Sequence, residues 1–312
     1  MPKPIVPKPV VVVGSLNFDY LLDVAALPKP NETLIGHGLR TAIGGKGLNQ
    51  ASACAAFGRP VEMVGAIGGD AIGQQILGHL ERKGVGATRV RPLNDARTGM
   101  AHILVAEDGQ NMIVVTSGAN GRVSPADIDA AEDLIAGAAA LVVQLEIPLP
   151  AVGRALEIAR RHGVLSVVNP APADTGVLDL LPLADIVTPN ELELMALTGI
   201  GDLSDASLAE GLKRLVAAGA RRALVTLGSA GCATLSGDTL VRIPAFPVEA
   251  VDATGAGDTF TGAMVDQLIA GETLIDAMRY ASAAAAISVT RASADAAPSS
   301  AEVAAFLAHH PA

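Results

Sequence analysis

Tryptophan is absent, and only two tyrosines and five phenylalanines occur in 312 residues. Such a chain offers few platforms on which the bases of a single-stranded nucleic acid can stack. Positive charge is scarce too: 22 Lys and Arg stand against 32 Asp and Glu, a formal net charge of −10. That balance disfavours a general nucleic-acid or anionic-membrane surface but leaves room for a local phosphate pocket. No hydrophobic run reaches the length of a membrane span. The Pro- and Lys-bearing start, Met1 to Val10, lacks the apolar stretch and cleavage site of a secretory signal. Cysteine is limited to Cys54 and Cys232, without metal-ligand spacing, which reads as two buried thiols of a cytoplasmic protein. Charged residues make up 17% and hydrophobic residues 50%, enough for a sizeable core and against disorder.

What is present is an alternation of strand and helix signals. Val10–Val13 is a β-branched run closed by Gly14, and Val61–Ile67 reads as another strand. Lys46–Phe57 and Asp70–Lys83 read as helices stopped by Gly58 and Gly84. Further strands are expected at Ala140–Gln144, Val164–Val168, Asp185–Val187 and Arg222–Thr226. Helices are expected at Pro125–Ala136, Pro150–Arg161, Glu191–Leu197, Ser207–Ala218, Ala256–Ala270, Leu274–Thr290 and Ala301–His309. The alternation predicts a mainly parallel sheet covered by helices on both faces. Two stretches break it. Asn17 to Thr41 holds apolar pieces without a helix signal, and Thr98 to Thr116 reads as a hairpin turning at Glu107-Asp108-Gly109-Gln110. Together they can form a small separate sheet, placed to close over a ligand.

Two glycine-rich segments carry chemistry. In Asp252-Ala253-Thr254-Gly255-Ala256-Gly257-Asp258 an extended stretch runs into a helix start. Small residues there let backbone N–H groups approach an anion, as a transferring phosphoryl group requires. Asp258 falls in the first helical turn, which favours its ionised form, and can accept the proton of an attacking hydroxyl. Alone, the segment equally fits a glycine-rich turn with a capping Asp. Gly44-Gly45-Lys46-Gly47-Leu48-Asn49-Gln50 lacks Walker A spacing, since Gly47 stands where Ser or Thr should follow the Lys. It permits close backbone approach and offers polar groups to hydroxyls. Alone, it equally fits a strand-to-helix turn with a solvated Lys.

The two segments, in this order and about two hundred residues apart, resemble the signatures of the PfkB-type ribokinase family of carbohydrate kinases. Gly14-Ser15-Leu16-Asn17-Phe18-Asp19 is similar to that family's first strand and sugar-binding Asn-x-Asp. Gln144-Leu145-Glu146 and Asn169-Pro170-Ala171-Pro172 resemble it at matching places. Thr188-Pro189-Asn190-Glu191-Leu192-Glu193 resembles its Asn-x-x-Glu segment, and Thr226-Leu227-Gly228-Ser229 its nucleotide loop.

The resemblance implies a three-layer α/β/α ribokinase-like domain with a small β-sheet lid. The kinase domain would comprise residues 10–16, 42–97 and 117–310, the lid residues 17–41 and 98–116, and residues 1–9 a mobile tail. It implies ATP-dependent phosphorylation of a primary hydroxyl, with D-ribose as first choice. Deoxyribose, a ketose, a sugar acid or a nucleoside are alternatives, and a non-catalytic sugar sensor is the alternative outside enzymes. Asp258 would be the base, and Gly255, Ala256 and Gly257 the anion hole. Asn17, Asp19, Gly45, Lys46, Asn49 and Glu146 would hold sugar hydroxyls, with Ala101, Ile103 and Ile113 over the apolar face. Asn190 and Glu193 would organise Mg²⁺ and phosphates through water, and Asn190, Thr226, Gly228 and Gly257 would contact the nucleotide. K⁺ would sit at Asp252 and Thr254, near Thr290 to Asp295, where Ser293 replaces a usual Gly and Asp295 adds an oxygen. A homodimer through the lid is also implied.

Four positions depart from the family pattern: Ala253, Leu48, Phe18 and His102. Strand alternation turns His102 away from Ala101 and Ile103, toward solvent. The departures bear on which sugar is bound more than on the reaction.

Overall fold

The computed structural model describes residues 7–108, 110–292 and 296–310. Residues 1–6 of the expected tail, the turn residue Gly109, and Ser293 and Asp295 of the expected cation-site segment lie outside the described residues.

The described residues form two sheets. The large one contains β1 (Val10–Val13), β4 (Val61–Gly68), β5 (Val85–Leu93), β8 (Ala140–Val143), β9 (Leu165–Val168), β10 (Ile186–Val187), β11 (Arg222–Thr226), β12 (Cys232–Ser236) and β13 (Thr239–Ile243). Its order is β13-β12-β11-β10-β9-β8-β1-β4-β5, parallel except for the antiparallel pairs β11/β12 and β12/β13. The small sheet, ordered β3-β2-β6-β7, contains β2 (Asn17–Val24), β3 (Gly38–Gly44), β6 (Gly99–Ala106) and β7 (Asn111–Thr116). β3 thus runs three residues beyond Thr41, the expected end of the lid segment, straight into the second glycine segment.

Burial on both faces explains the unbroken valine run of β1: Val10 and Val12 enter one core, Val11 and Val13 the other. The first core is covered by α1 (Lys46–Ala56), α2 (Ala71–Arg82), α8 (Ala256–Ala270), α9 (Leu274–Ser288) and α10 (Ser300–His309). The second lies under α3 (Pro125–Asp129), α4 (Glu132–Gly137), α5 (Leu149–His162), α6 (Glu191–Thr198) and α7 (Asp205–Ala217). The single helix expected over Pro125–Ala136 is two, because the backbone at Ala131 leaves the helical region (φ −108°, ψ 10°). Each short helix packs on α5.

Strand order in the large sheet reverses at β1: β4 and β5 continue to one side, β8 to β11 to the other. Open parallel sheets bind ligands outside the carboxyl ends of their strands at such a switch point. Here those ends carry Ser15, Glu146, Asn169, Thr188 and Thr226, all polar.

Candidate active site

The site forms where the loops after β1 and β8 meet α1 and α8. Ser15 Oγ donates to Glu146 Oε2 at 2.5 Å, and the Lys46 backbone N–H donates to the same oxygen at 3.0 Å. The Gly47 N–H in turn donates to Ser15 Oγ (3.2 Å). This closeness requires glycine. Gly45 sits at φ 94°, and a Cβ there would meet the Asn17 backbone N at 2.9 Å; a Cβ on Gly47 would meet the Ser15 backbone N at 2.5 Å. Asn17 is buried, its Oδ1 accepting from Asn120 Nδ2 at 2.7 Å. Asn120 also braces the Leu16 backbone through both its N–H and its carbonyl (2.9 and 3.1 Å).

Asp258 lies buried in the first turn of α8, facing α1. Asn49 Nδ2 donates to its Oδ2 at 3.2 Å and Gln50 Nε2 to its Oδ1 at 2.9 Å. The two glycine segments are therefore one site. Burial raises the Asp258 pKa against the pull of Lys46 and the two amide donors. This reverses the expectation from its helix position: desolvation outweighs the helix terminus. Burial presses the Lys46 ammonium down, but the fields of Asp258, Glu146 and Glu193 more than reverse it, so its pKa is raised.

Asp19 stands on β2, opposite Ala101 of β6. Burial first, then the charge of Glu146, pushes its pKa up to about 6. Asp19 Oδ1 and Asn49 Oδ1 are buried acceptors with no partner among the described residues. Two orphaned buried acceptors fit the hydroxyls of a polyol, which donate. Ile103 pairs with Ile113 and shares the face of Asp19 and Ala101, so the four expected residues line one side of the small sheet. Ala101 is buried there, whereas Ile113 on the edge strand is exposed.

The departures from the family pattern do not share that face. Phe18 neighbours Asp19 on the strand and points oppositely, edge-on to Tyr20 at 5.2 Å. His102 is exposed, as expected, and stacks on Tyr20 at 5.4 Å. Leu48 is fully buried in the core under α1. Ala253 is exposed on the loop before α8.

From Asp258 a cleft of about 660 Å³ runs along the strand ends past Lys46, Asn190, Glu193, Thr226 and Gly228. Gly255 and Gly257 line it at the start of α8, and among the described residues no side chain caps that helix. The Ala256 N–H, expected in the anion hole, donates to the Ala253 carbonyl at 3.2 Å. Asn190 and Glu193 form a reciprocal cap on α6: Asn190 Oδ1 accepts from the Glu193 N–H (2.9 Å), and Asn190 N and Nδ2 donate to the Glu193 oxygens (2.9 and 2.8 Å). Burial raises the Glu193 pKa, offset in part by the Asn190 N–H and Lys46. Thr226 bridges to Asn190 in parallel fashion. Asp252 Oδ1 accepts from the Thr254 N–H at 2.8 Å, and the N–H groups of Val251 and Asp252 bind the Val289 carbonyl just past α9.

Sequence reasoning missed Ser15, Gln50 and Asn120 as site residues. Ser15 and Gln50 stand inside the quoted segments but were given no role, and Asn120 lies outside them; the partners of all three are 32 to 208 residues away in sequence. The two cysteines are buried and free, their thiols pushed up by burial to about 12 and about 11.

Residues 8–301 match the pfkB family of carbohydrate kinases. The chain is 39% identical to the ribokinase of Haemophilus influenzae over 97% of its own length and 99% of that protein. It is 39% identical to the ribokinase of Schizosaccharomyces pombe over 90% of its length and 92% of that protein. The structure of Arabidopsis thaliana ribokinase complexed with ribose and ATP superposes with a TM-score of 0.88 at 32% identity, covering 97% of this chain and 99% of that one.

Proposed function

The chain belongs to the pfkB family of carbohydrate kinases, and from that premise we propose that it transfers the γ-phosphoryl group of ATP to the primary hydroxyl of D-ribose. One observation carries the reading: Asp258, at the end of the nucleotide cleft, is hydrogen-bonded to Asn49, whose Oδ1, like that of Asp19, is a buried acceptor without a partner among the described residues. A hydroxyl held by Asp19, Asn17 and Asn49 stands beside a carboxylate able to take its proton. The phosphoryl group meets the uncapped start of α8 at Gly255 and Gly257, and Lys46 adds a positive charge along the same cleft. A second sugar, such as deoxyribose, is the alternative; Phe18 and His102 lie on the face opposite Asp19 and Leu48 lies in the core, which supports ribose.

Mg²⁺ fits Asn190 and Glu193 through water. Each Glu193 oxygen accepts one hydrogen bond, leaving a lone pair for a metal-bound water. The ion would neutralise charge on the ATP phosphates. K⁺ would rest at Asp252 and the Thr254 carbonyl, beside the loop that Val289 ties to α9; adding K⁺ to Na⁺-free buffer is expected to raise the rate, and an unchanged rate removes the ion. The protein would act in the cytoplasm, where ATP is supplied, as a homodimer paired through the small sheet.

A coupled assay of ATP consumption over a panel of sugars tests the main reading. D-ribose is expected to give the highest kcat/KM, with the 5-phosphate as product. No ATP consumption with any sugar, in a protein that still binds ribose, would leave only a sugar sensor.

A further inference from the structure

Gln50 is fully buried on α1, and its amide is oriented by a chain that begins at the backbone. The Thr188 carbonyl can only accept, so Asn169 must turn Nδ2 toward it (3.0 Å). That leaves Asn169 Oδ1 facing Gln50, which must present Nε2 to it (3.0 Å). The second proton of the same Nε2 then points at Asp258 Oδ1, 2.9 Å away. On the other side Gln50 Oε1 accepts from Gln144 Nε2 at 2.6 Å. Gln144, Asn169 and Thr188 directly follow β8, β9 and β10, so three neighbouring strand ends fix one amide. Both Gln50 protons are committed, and rotating the amide would set its oxygen against two acceptors.

Asp258 Oδ1 thus meets a donor that cannot become an acceptor. Among the described residues Oδ2 meets only Asn49, at 3.2 Å. We infer that Gln50 is a positioning residue that keeps Oδ1 an acceptor and so directs the proton of the attacking hydroxyl to Oδ2. The inference rests on the kinase reading. In the step, the sugar O–H breaks and its proton bonds to Oδ2. The sugar oxygen bonds to the γ-phosphorus, and the bond from phosphorus to the β,γ-bridging oxygen breaks, its electron pair leaving with ADP. Three charged groups also act on Asp258: Lys46 from α1, Glu146 from the loop after β8, and Glu193 from α6.

The test is Gln50→Met, which keeps size and removes both amide functions. At pH 7 kcat is expected to fall about 10- to 100-fold while the ribose KM stays within about threefold. The acidic limb of the kcat profile should move up by about one pH unit, so the deficit shrinks in alkaline buffer. Asn169→Leu leaves Gln50 in place but removes what orients it, and should shift the limb in the same direction by less. A kcat loss uniform across pH, or a KM rise at unchanged kcat, would assign Gln50 to packing or sugar binding and overturn the inference. Should Gln50→Met fail to fold, an unshifted limb in Asn169→Leu overturns it alone. Wild-type turnover separates the two readings: an inactive wild type sinks the kinase assignment, whereas an active one with unshifted variants sinks only the role of Gln50.

Discussion

At Asp19 the protein buries a carboxylate next to Glu146, moving its pKa from 3.8 to about 6. A raised carboxylate pKa costs stability wherever the group is ionised in the native state. Below 3.8 it is neutral in both states and costs nothing; as pH rises through about 6 the penalty becomes complete. The shift corresponds to roughly 3 kcal/mol at neutral pH. Asp19→Asn is therefore expected to melt higher than wild type at pH 7.5, with the advantage gone near pH 4, while its sugar KM rises. Thermal melts across pH check this, and a less stable variant at pH 7.5 contradicts it. The same titration predicts that the wild-type sugar KM climbs as pH falls through about 6, because a protonated Asp19 loses an acceptor. Asp258→Asn separates chemistry from binding: Asn matches its size but cannot take a proton, so kcat should drop roughly 10²–10⁴-fold. Ribose affinity by calorimetry should be largely kept. Near wild-type kcat in a folded variant removes Asp258 from the mechanism.

Between elements, the decisive contact is α1 against α8. Gly262 lies one turn beyond Asp258, and a Cβ there would meet the Ala53 backbone carbon at 3.0 Å and the Cys54 backbone nitrogen at 3.0 Å. Those atoms are helix backbone and cannot yield cheaply. Gly262→Ala should push α1 outward, lengthening the Asn49 and Gln50 bonds to Asp258, with about 1–3 kcal/mol lost to overpacking. Chemical denaturation and kcat should fall together; an undisturbed kcat would show that helix spacing does not set the site. This contact was not legible in the sequence, where Gly262 is only a small residue within a helical run. The parallel strands β1, β8 and β11 were legible, because strands buried on both faces read as continuous apolar runs. β5 was not: as an edge strand it carries Arg89 and Arg91, which pair with Asp133 and Asp127, and these charges hide the strand signal. The hairpin β12–β13 was missed for a similar reason, since its five-residue strands mix small and polar residues. The glycine segments were legible as chemistry, but the amides of Gln50, Asn120 and Asn169 gain meaning only once distant strands align.

For the whole molecule, the small sheet poses the remaining physical problem. Its register sets Leu39, Leu22, Leu104 and Met112 in one row across all four strands, on the face opposite Asp19. Leu39 is 65% exposed and Met112 43%, and Ile35, before β3, is 93% exposed. A contiguous apolar row on a sheet with two open edges is unfavourable in water and invites a second sheet. A twofold pairing of identical sheets covers both rows at once, since one self-complementary patch serves each copy. The same pairing would stiffen β2 and β6, which carry Asp19 and Ala101 of the proposed sugar site. Light scattering at micromolar concentration should therefore give about twice the chain mass of 31.4 kDa. The double variant Leu39→Glu with Met112→Glu places like charges in both rows and should give the monomer mass, with a raised sugar KM but little change in ATP KM, because the nucleotide cleft lies on the large sheet. A monomeric wild type would refute the pairing. A dimeric double variant would place the interface on another face.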